Sequence, residues 1–330
     1  MKAKKRILSG MRPTGPLHLG NFHGALANWI AMQDKYECFF FIADWHALTS
    51  DYEDTGAIAG YVEQMVIDWL SAGLSPDKCT LFVQSKVPEH AELYLLLSMI
   101  TPVPWLERNP TYKDQIVQLS NKDLSTFGFL GYPVLQAADI IIYKAQGVPV
   151  GVDQVPHVEI TREIARRFNH LYGEVFPEPE AILTETPKIL GLDRRKMSKS
   201  YHNAIYLADS PGQVERKVMQ MITDPQRKRR KDPGDPEICN VHAFHKMYSD
   251  SRTTEDCARQ CRTAEIGCVE CKKLMCAGLL RALEPIHEKQ QYYRQNPEII
   301  KQIISEGSAR ARKVARRTMD QVRRALKIDY

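Results

Sequence analysis

The chain has 330 residues, of which 43% are hydrophobic and 26% are charged, a balance typical of a soluble globular protein. This composition excludes a disordered, collagen-like or coiled-coil chain, and the length predicts two domains. No apolar run approaches the roughly 18 residues needed to span a bilayer, and the basic N-terminus lacks the apolar stretch of a secretion signal. We therefore expect a cytoplasmic protein that has no membrane partner.

The first 200 residues alternate strand-like and helix-like patterns. Strand patterns occur at residues 6–9, 38–44, 80–84 and 148–150, and the apolar run at 140–143 also has the size of a strand. Helix patterns occur at residues 21–32, 55–72, 89–101 and 159–168. Residues 101–129 are expected to form an irregular insertion, and residues 177–187 a proline-containing loop. Alternation of this kind predicts βαβ units and a doubly wound parallel sheet.

The pattern changes after Ser200, where strands largely disappear. Long helical stretches follow at residues 213–222, 272–287 and 309–326. We therefore predict a domain boundary near residue 201, between an α/β domain at 1–200 and an α-helical domain at 201–330.

Positive charge is concentrated near the C-terminus. The last 30 residues hold nine basic and three acidic side chains, so this tail carries +6 and the rest of the chain −1. A second basic run lies at residues 227–231. A localised positive surface indicates a polyanion partner such as nucleic acid, and the alternative is a solvated helix face.

A turn rich in glycine and proline, from Gly10 to Asn21, follows the first predicted strand and opens a helix. Glycine lets the backbone approach a nucleotide closely, and a helix N-terminus favours phosphate. His18 in this turn is suited to donate a hydrogen bond to a phosphate oxygen. The turn lacks the Gly-Lys-Ser/Thr ending of a P-loop and the Gly-x-Gly-x-x-Gly pattern, and a purely structural turn is the alternative.

The string Lys196-Met197-Ser198-Lys199-Ser200 is the second motif. Two lysines three positions apart, among small polar residues, are suited to a loop that closes over a triphosphate and neutralises its leaving group. A Lys-x-x-Lys string alone is common on protein surfaces. Taken together with the His18 turn, however, the string resembles the paired HIGH and KMSKS signatures of class I aminoacyl-tRNA synthetases. His18-Leu19-Gly20-Asn21 corresponds to HIGH, and residues 196–200 correspond to KMSKS.

Four further strings make the resemblance more specific. They are residues 43–48 (ADWHAL), 132–139 (YPVLQAAD), 148–154 (VPVGVDQ) and 159–169 (EITREIARRFN). With them, the chain is similar over essentially its whole length to the tryptophanyl-tRNA synthetases. The departure from the first signature is Asn21 in place of the final histidine, a variant familiar in that subgroup.

The resemblance implies an architecture, partners and a reaction. It implies a Rossmann-like catalytic domain at 1–200 and a helical anticodon-binding domain at 201–330 that contains a cysteine cluster. It implies a symmetric homodimer, with tRNA(Trp) spanning both subunits. In the implied reaction, L-tryptophan and ATP, with Mg²⁺, form tryptophanyl-adenylate and pyrophosphate. The acyl group then passes to the tRNA and AMP is released.

Residue roles are implied by the same resemblance. The catalytic residues are His18, Lys196 and Lys199. The ATP-binding residues are Arg12, Thr14, His18, Gly20, Asn21, Gly151, Asp153, Lys196, Met197, Ser198 and Lys199. The tryptophan-binding residues are Leu8, Gly10, His46, Tyr132, Gln136, Asp139, Val148, Val150 and Gln154. Lys113 is expected to approach the phosphates.

Asp139 is the residue expected to select tryptophan. The indole N–H is only a hydrogen-bond donor, so the pocket needs an acceptor. Asp139, expected in an apolar wall, matches the aspartate with which the family reads indole. Its alternative role is an acid at the N-terminus of a helix, because an apolar run follows it.

Six of the eight cysteines fall between Cys239 and Cys276, and in a cytosolic chain such clustering indicates metal ligation rather than disulfides. Four thiolates suit either a 4Fe–4S cluster or zinc. Some tryptophanyl-tRNA synthetases carry a 4Fe–4S cluster in the anticodon-binding region, on a similar cysteine pattern whose first gap is one residue longer. Unmetallated structural thiols are the third alternative, and Cys257 and Cys276 are additional candidate ligands. The expected ligands are Cys239, Cys261, Cys268 and Cys271.

Three other functions remain open. An adenylyltransferase of the HIGH superfamily would share the first turn but would not need the basic helical domain. An RNA-binding paralogue without catalysis would be expected to have lost His18 or Lys199, and both are present. A tyrosyl enzyme is the alternative within the class, because the Gly-x-Asp-Gln turn serves it too.

Overall fold

A five-stranded parallel sheet forms the centre of the computed structural model, which describes residues 4–109, 112, 124–184 and 189–330. The strand order is β3-β2-β1-β4-β5, and all neighbouring pairs are parallel. The strands are β1 (Arg6–Met11), β2 (Glu37–Ile42), β3 (Cys79–Val83), β4 (Gly147–Val150) and β5 (Glu180–Leu183). The predicted doubly wound parallel sheet is confirmed.

Helices connect these strands in the first 200 residues. The helix that opens at the His18 turn runs as α1 (Leu19–Asn21), a π-helical turn (Phe22–Leu26) and α2 (Ala27–Met32), so it begins two residues earlier than predicted. The others are α3 (Asp44–Asp51), α4 (Ile58–Ala72), α5 (Glu89–Ser98), α6 (Val103–Glu107), α7 (Phe127–Ile142) and α8 (Val155–Tyr172).

The chain after residue 205 adds helices, as predicted, and no further strand to the described sheet. They are α9 (Pro211–Gln220), α10 (Asn240–Tyr248), α11 (Ser251–Arg262), α12 (Cys268–Gln295) and α13 (Pro297–Leu326). Because α12 packs on α4, and α13 packs on β3 and α5, the helical region shares its packing with the sheet. A domain boundary near residue 201 stays a prediction. Within the described ranges, we find no helix with the length and apolarity that a membrane span requires.

Two expectations about the middle of the chain are wrong. The apolar run at 140–143 ends helix α7 instead of forming a strand. Because α7 is buried on most of its circumference, its sequence shows no helical period of apolar residues. Residues 177–187, expected to form a loop, contain strand β5. The irregular insertion at 101–129 stays a prediction, since residues 110–111 and 113–123 lie outside the described residues; its described part contains α6 and the start of α7. Lys113 lies outside the described residues.

Aromatic pairs pack on both faces of the sheet. On one face, Trp29 stacks on Phe40 with ring centroids 4.6 Å apart and meets Trp69 edge-on at 5.3 Å. On the other face, Phe39 stacks on Tyr143 at 4.9 Å. Because such pairs favour particular ring geometries, they add to the burial energy and help to fix where the helices sit on the sheet.

Helix α13 covers one edge of the sheet. A Cβ atom at Gly307 would lie 1.7 Å from the carbonyl oxygen of Leu81 in β3. Ala311 and Ala315, on the following turns, are fully buried. Small residues therefore let the helix approach the edge strand closely and shield it from pairing with another chain.

The basic tail is partly used inside the chain. Arg312 and Arg316 donate to the buried carboxylate of Glu89 at 2.9 and 3.0 Å, and Arg323 pairs with Glu92 at 2.6 Å. Burial alone would raise the pKa of Glu89, but the hydrogen bonds from Arg312 and Arg316 outweigh it, so its pKa is lowered. For these three arginines, the alternative of a solvated helix face is wrong, because they hold α13 on α5.

We predict that Gly307→Ala destabilises the protein. Inside an ordinary helix this change stabilises by about 0.5–1 kcal/mol. Here the new methyl group overlaps the backbone of β3, so α13 has to move away, at a cost on the order of 1–3 kcal/mol. Thermal unfolding measures the change.

Gly60→Ala is the matched control. Gly60 is exposed in α4, and a Cβ atom there meets nothing within 4 Å. This variant should melt at a higher temperature than the parent. A Gly307→Ala protein that melts with the Gly60→Ala protein would show that the contact between α13 and β3 is not tight.

Candidate active site

A cavity of about 340 Å³ lies where β1 and β4 end. The chain order of the strands reverses between β1 and β4, and doubly wound sheets bind ligands at this kind of position. All nine residues that the resemblance assigns to tryptophan line this one cavity: Leu8, Gly10, His46, Tyr132, Gln136, Asp139, Val148, Val150 and Gln154. The structure thus brings together residues from two strands, two helices and the loop after β4.

The helix that follows His18 forms another wall of the cavity, which sequence reasoning missed. Gly24 and Ala25 lie in the π-helical turn, and Asn28 follows one turn later. The side-chain amide nitrogen of Asn28 is buried without a partner in the described structure. Such π-helical turns occur frequently at functional sites, and a single sequence carries no signal for them.

The Asp139 carboxylate is fully buried and accepts hydrogen bonds from three side chains. Its Oδ2 accepts from His46 Nε2 at 2.8 Å, and its Oδ1 accepts from His90 Nδ1 at 2.5 Å and from Gln84 Nε2 at 2.7 Å. Burial acts to raise the pKa of Asp139, but the bonds from His46 and His90 outweigh it, so the pKa is lowered. The expected apolar wall is wrong for the carboxylate itself, because a buried charge needs donors around it.

The position of Asp139 also excludes the role of an acid at a helix N-terminus. It lies near the C-terminal end of α7, three residues before Ile142. The residues that surround its carboxylate come from α3, α5 and the segment after β3, which are far apart in sequence. Because His90 and Gln84 carry no motif, only the folded chain identifies them.

Tyr132 lines the cavity and joins a second polar chain. Its hydroxyl lies 3.2 Å from His157 Nε2, and His157 Nδ1 lies 3.4 Å from the side-chain amide of Asn109. Burial lowers the pKa of His157 to about 4, and the nearby His46 contributes. His157 is therefore neutral near pH 7 and holds the Tyr132 hydroxyl without adding charge to the cavity.

His18 caps helix α1 and is neutral near pH 7. Its Nδ1 accepts from the backbone N–H of Asn21 at 3.2 Å, while the Asn21 side chain accepts from the His18 backbone at 3.2 Å. Burial, and secondarily Lys199, lower the pKa of His18 to about 4. With Nδ1 used as an acceptor, the proton of the neutral ring lies on Nε2, which is then free to donate. The backbone N–H of Asn21 thus fixes the tautomer of His18.

The loop from 196 to 200 is held by Asn203, which sequence reasoning missed. The Asn203 Oδ1 accepts from the backbone N–H of Ser198 at 2.9 Å, and its amide nitrogen donates to Asp193 at 2.6 Å. Met197 is buried, and a Cβ atom at Gly20 would lie 3.5 Å from its Cβ. The structure therefore places the two signature segments in contact.

Lys199 reaches into the turn before His18. Its Nζ donates to the carbonyl oxygen of Gly15 at 2.9 Å. Burial, and secondarily the nearby Arg12, lower the pKa of Lys199 to about 8, and the charges of Asp68 and Asp51 oppose this shift. A lysine so tuned is charged at neutral pH but loses its proton in mildly alkaline solution.

The other residues expected to bind ATP surround this turn. Arg12 and Gly151 line the main cavity, and Thr14 lines a neighbouring one of about 350 Å³. Arg12 donates to Ser50 and approaches Asp51 at 3.5 Å, so its guanidinium is anchored from α3. Lys196 is exposed, and Asp153 lies in a short helical turn directly after Gly151.

Cysteines gather where α10, α11 and α12 meet. Burial raises the pKa of Cys261, and the neighbouring Cys239 and Cys268 thiols raise it further, while Arg227 opposes them from 3.6 Å. One group of possible ligands in the described chain has all its ligand atoms within 4.8 Å of one another: His245, Cys257 and Cys271. The structure therefore brings the four predicted cysteines into one region, with Cys257 and His245 beside them.

Comparison with known proteins agrees with this geometry. The family model of class I tRNA synthetases for tryptophan and tyrosine matches residues 1–284. The tryptophan–tRNA ligase of Thermotoga maritima is 54% identical over 98% of this chain and 100% of its own length. The tryptophan–tRNA ligase of Ralstonia nicotianae is 47% identical over 99% of both chains.

A solved structure shares the fold over the whole chain. Tryptophanyl-tRNA synthetase from Campylobacter jejuni, in complex with ADP and tryptophan, superposes with a TM-score of 0.90 at 33% identity, covering 98% of this chain and 99% of that one. The His18 turn, the 196–200 loop and the cavity between them thus lie within a fold that is shared from end to end. The chain belongs to the class I tRNA synthetase family of tryptophan and tyrosine enzymes.

Proposed function

We propose that this chain joins L-tryptophan to tRNA(Trp) through a tryptophanyl-adenylate, at the expense of ATP. The observation that carries the proposal is a single cavity with the Asp139 carboxylate in its wall, beside the turn that His18 and Lys199 share. The tryptophan carboxylate attacks the α-phosphorus of ATP, and pyrophosphate leaves. The 3′-terminal ribose hydroxyl of the tRNA then attacks the acyl carbon, and AMP leaves.

Adenylate formation needs charge stabilisation and orientation rather than a covalent intermediate on the enzyme. The Nε2–H of neutral His18 is suited to donate to a phosphate oxygen. Lys199 and Lys196 provide positive charge for the leaving pyrophosphate, and Mg²⁺ that enters with ATP supplies further neutralisation. These groups act mainly on charge that develops in the transition state, so they are expected to affect kcat more than tryptophan binding.

Tryptophan recognition requires an apolar cavity with one acceptor for the indole N–H. Leu8, Val148 and Val150 contribute apolar surface, and Asp139 contributes the acceptor. At the other end, Tyr132 and Gln154 are placed to hold the amino and carboxylate groups. Asp153 follows β4 and is suited to bind the ribose hydroxyls of ATP.

Amino-acid-dependent exchange of pyrophosphate into ATP tests the function. The purified protein should catalyse exchange with tryptophan and not with tyrosine, and it should charge tRNA(Trp). Exchange with tyrosine alone would assign the chain to the other branch of the family. Exchange with neither, in a folded protein, would remove the catalytic proposal.

The pH profile tests Lys199. Because the pKa of Lys199 is about 8, the kcat/KM for ATP in pyrophosphate exchange should fall as pH rises through that value, as the ammonium loses its proton. Lys199→Arg is the matched control, since arginine keeps its charge across this range. Its activity should be lower but should not fall between pH 7.5 and about 9. The same alkaline fall in both proteins would assign the titration to another group.

The proposal includes a 4Fe–4S cluster on Cys239, Cys261, Cys268 and Cys271. The compact group of possible ligands in the described structure is His245, Cys257 and Cys271, which shares only Cys271 with this set. Arg227 beside Cys261 is suited to offset the negative charge of a four-thiolate site. Four thiolates would suit a 4Fe–4S cluster, and zinc is the alternative.

When bound, the cluster would supply a structural cross-link between α11, α12 and the segment before α10. Arg227 and Arg230, in the segment before α10, already join it to the loop between α11 and α12. They donate to the carbonyl oxygens of Ile266, Ala264 and Glu265 in that loop at 2.6–2.8 Å. These contacts lie outside the tryptophan cavity. A structural role for the metal therefore fits better than a role in adenylate chemistry.

We predict that protein purified without oxygen is brown and contains iron and sulfide. Cys268→Ser should lose the colour and should weaken aminoacylation more than pyrophosphate exchange, because the site lies apart from the cavity. Cys276→Ser is the matched control, since Cys276 is buried in the same helix and is outside the ligand set. Colourless anaerobic protein with stoichiometric zinc would replace the cluster with a zinc site.

Exposed cations on the helical region provide a surface for tRNA. Lys313 and Arg317 are exposed on α13 and form no ion pair with the described residues. Lys228, Arg229 and Lys231 are exposed as well. They differ from Arg312, Arg316 and Arg323, which α5 already engages.

We predict that replacing both Lys313 and Arg317 by glutamine weakens tRNA binding and flattens its salt dependence. Each lost phosphate contact should reduce the slope of log affinity against log salt by roughly 0.7–0.9. Lys301→Gln is the control, because Lys301 is exposed on the same helix but pairs with Glu298 at 2.9 Å. An unchanged slope in the double variant would mean that α13 does not contact tRNA.

The proposal also includes a homodimer. Four large apolar side chains are at least half exposed on neighbouring elements of the sheet region: Leu95, Met99, Val103 and Phe127. An exposed apolar surface of this kind marks an interaction site in many proteins. Sedimentation of the protein at micromolar concentration tests the assembly, and a monomer there would overturn it.

A further inference from the structure

We propose that His90 is a positioning residue for tryptophan selection: together with Tyr143 it fixes the Asp139 carboxylate so that one lone pair of Oδ2 faces the cavity. This inference rests on the proposed function, since it assigns to Asp139 the reading of the indole N–H. His90, Gln84 and Tyr143 do not touch the cavity themselves. They act through Asp139.

The network has two layers. Asp139 and His46 line the cavity, whereas His90, Gln84 and Tyr143 lie behind them and are fully buried. His90 comes from α5, and Tyr143 follows the last residue of α7. The second layer is therefore inaccessible to substrate, and the packing of α5 against α7 brings His90 to Tyr143.

Counting hydrogen bonds shows what Asp139 has left to offer. An ionised carboxylate has about four lone-pair sites. His90 and Gln84 occupy both sites on Oδ1, and His46 occupies one on Oδ2. One acceptor site remains, on the oxygen that His46 approaches from the cavity wall. A single remaining acceptor matches a ligand with a single N–H donor.

The groups at the two ends of the series Tyr143–His90–Asp139 indicate the direction of its hydrogen bonds. A carboxylate only accepts, so His90 Nδ1 donates to Asp139. Tyr143 OH lies 2.7 Å from His90 Nε2, and burial keeps the pKa of Tyr143 well above its usual value. The protonated Tyr143 hydroxyl is suited to donate to His90 Nε2, while His90 Nδ1 donates to Asp139. Tyr143 thereby fixes the tautomer that lets His90 donate to Asp139.

Losing His90 would release one oxygen of the carboxylate. Gln84 alone would then hold Oδ1, and rotation about the terminal bond of Asp139 would let either oxygen face the cavity with a different direction. The apolar walls that bind the indole ring would remain. The inference therefore separates two effects: recognition of the N–H is lost, and binding of the ring is retained.

The test compares tryptophan with benzothienylalanine, in which sulfur replaces the indole N–H. The ratio of their kcat/KM values in pyrophosphate exchange isolates N–H recognition from folding and from ring binding. The parent protein should favour tryptophan by roughly 10–150-fold, the range expected for one hydrogen bond to a buried charge. His90→Phe should reduce this preference at least about 10-fold, mainly through tryptophan.

His90→Asn should retain most of the preference, because its amide nitrogen can replace Nδ1 as a donor. If His90→Phe does not fold, Tyr143→Phe gives the same test, since it removes only the hydroxyl that fixes the His90 tautomer; it should also lower the preference. His23→Phe is the matched control. It removes another histidine–tyrosine hydrogen bond, of 2.6 Å to Tyr248, and should leave the ratio unchanged.

The outcomes distinguish this inference from the function it rests on. A parent protein that uses both amino acids equally would overturn the role of Asp139, and the role of His90 with it. A high parent ratio that persists in His90→Phe and in Tyr143→Phe would overturn the positioning role alone. Reduced activity with an unchanged ratio would make His90 a packing residue.

Discussion

The buried charge of Asp139 is the constraint on which the cavity depends. An isolated carboxylate inside a protein is costly, and donors must come from all sides to offset that cost. Here they come from α3, α5 and the segment that follows β3, while the carboxylate itself lies on α7. One acidic side chain thus ties together the elements that surround the substrate. All members of this network are largely or fully buried.

The nucleotide side of the site follows a different electrostatic rule. Around the turn before His18, cations are crowded and half-buried, so burial lowers the pKa of both His18 and Lys199. His18 thereby stays neutral and keeps a donor, and Lys199 stays close to losing its proton. Positive charge crowded into one turn attracts a polyanionic substrate. The two ends of the site therefore differ in sign, with a buried negative charge at Asp139 and crowded positive charge at Arg12 and Lys199.

A second buried carboxylate joins the helical region to the sheet. Asp68 in α4 accepts from Gln64 at 2.7 Å and from Gln290 in α12 at 2.8 Å, and burial raises its pKa to about 6. The Asp68 carboxylate therefore links α4 to α12. At the β3 edge of the sheet, α13 is fastened to α5 by the arginines that pair with Glu89 and Glu92.

The sequence by itself determined the sheet, its parallel strands, the helical second part, the family and the two signature segments. It could do so because strand and helix patterns are local and because the signature residues are consecutive in the chain. Nine residues expected to bind tryptophan also meet in one cavity. Only the tertiary structure identified His90, Gln84, Tyr143 and Asn203, since each acts through a partner distant in sequence and none belongs to a motif.

The errors have the same physical origin. The run at 140–143 shows no helical period because α7 is buried on most of its circumference. The sequence around Arg312 and Arg316 does not indicate that both side chains pair with Glu89, which is distant in the chain. Periodicity reports a helix only where one face meets water, and net charge reports a free surface only where no opposite charge packs against it. Burial and long-range pairing are properties of the folded chain, so they decided what local patterns left open.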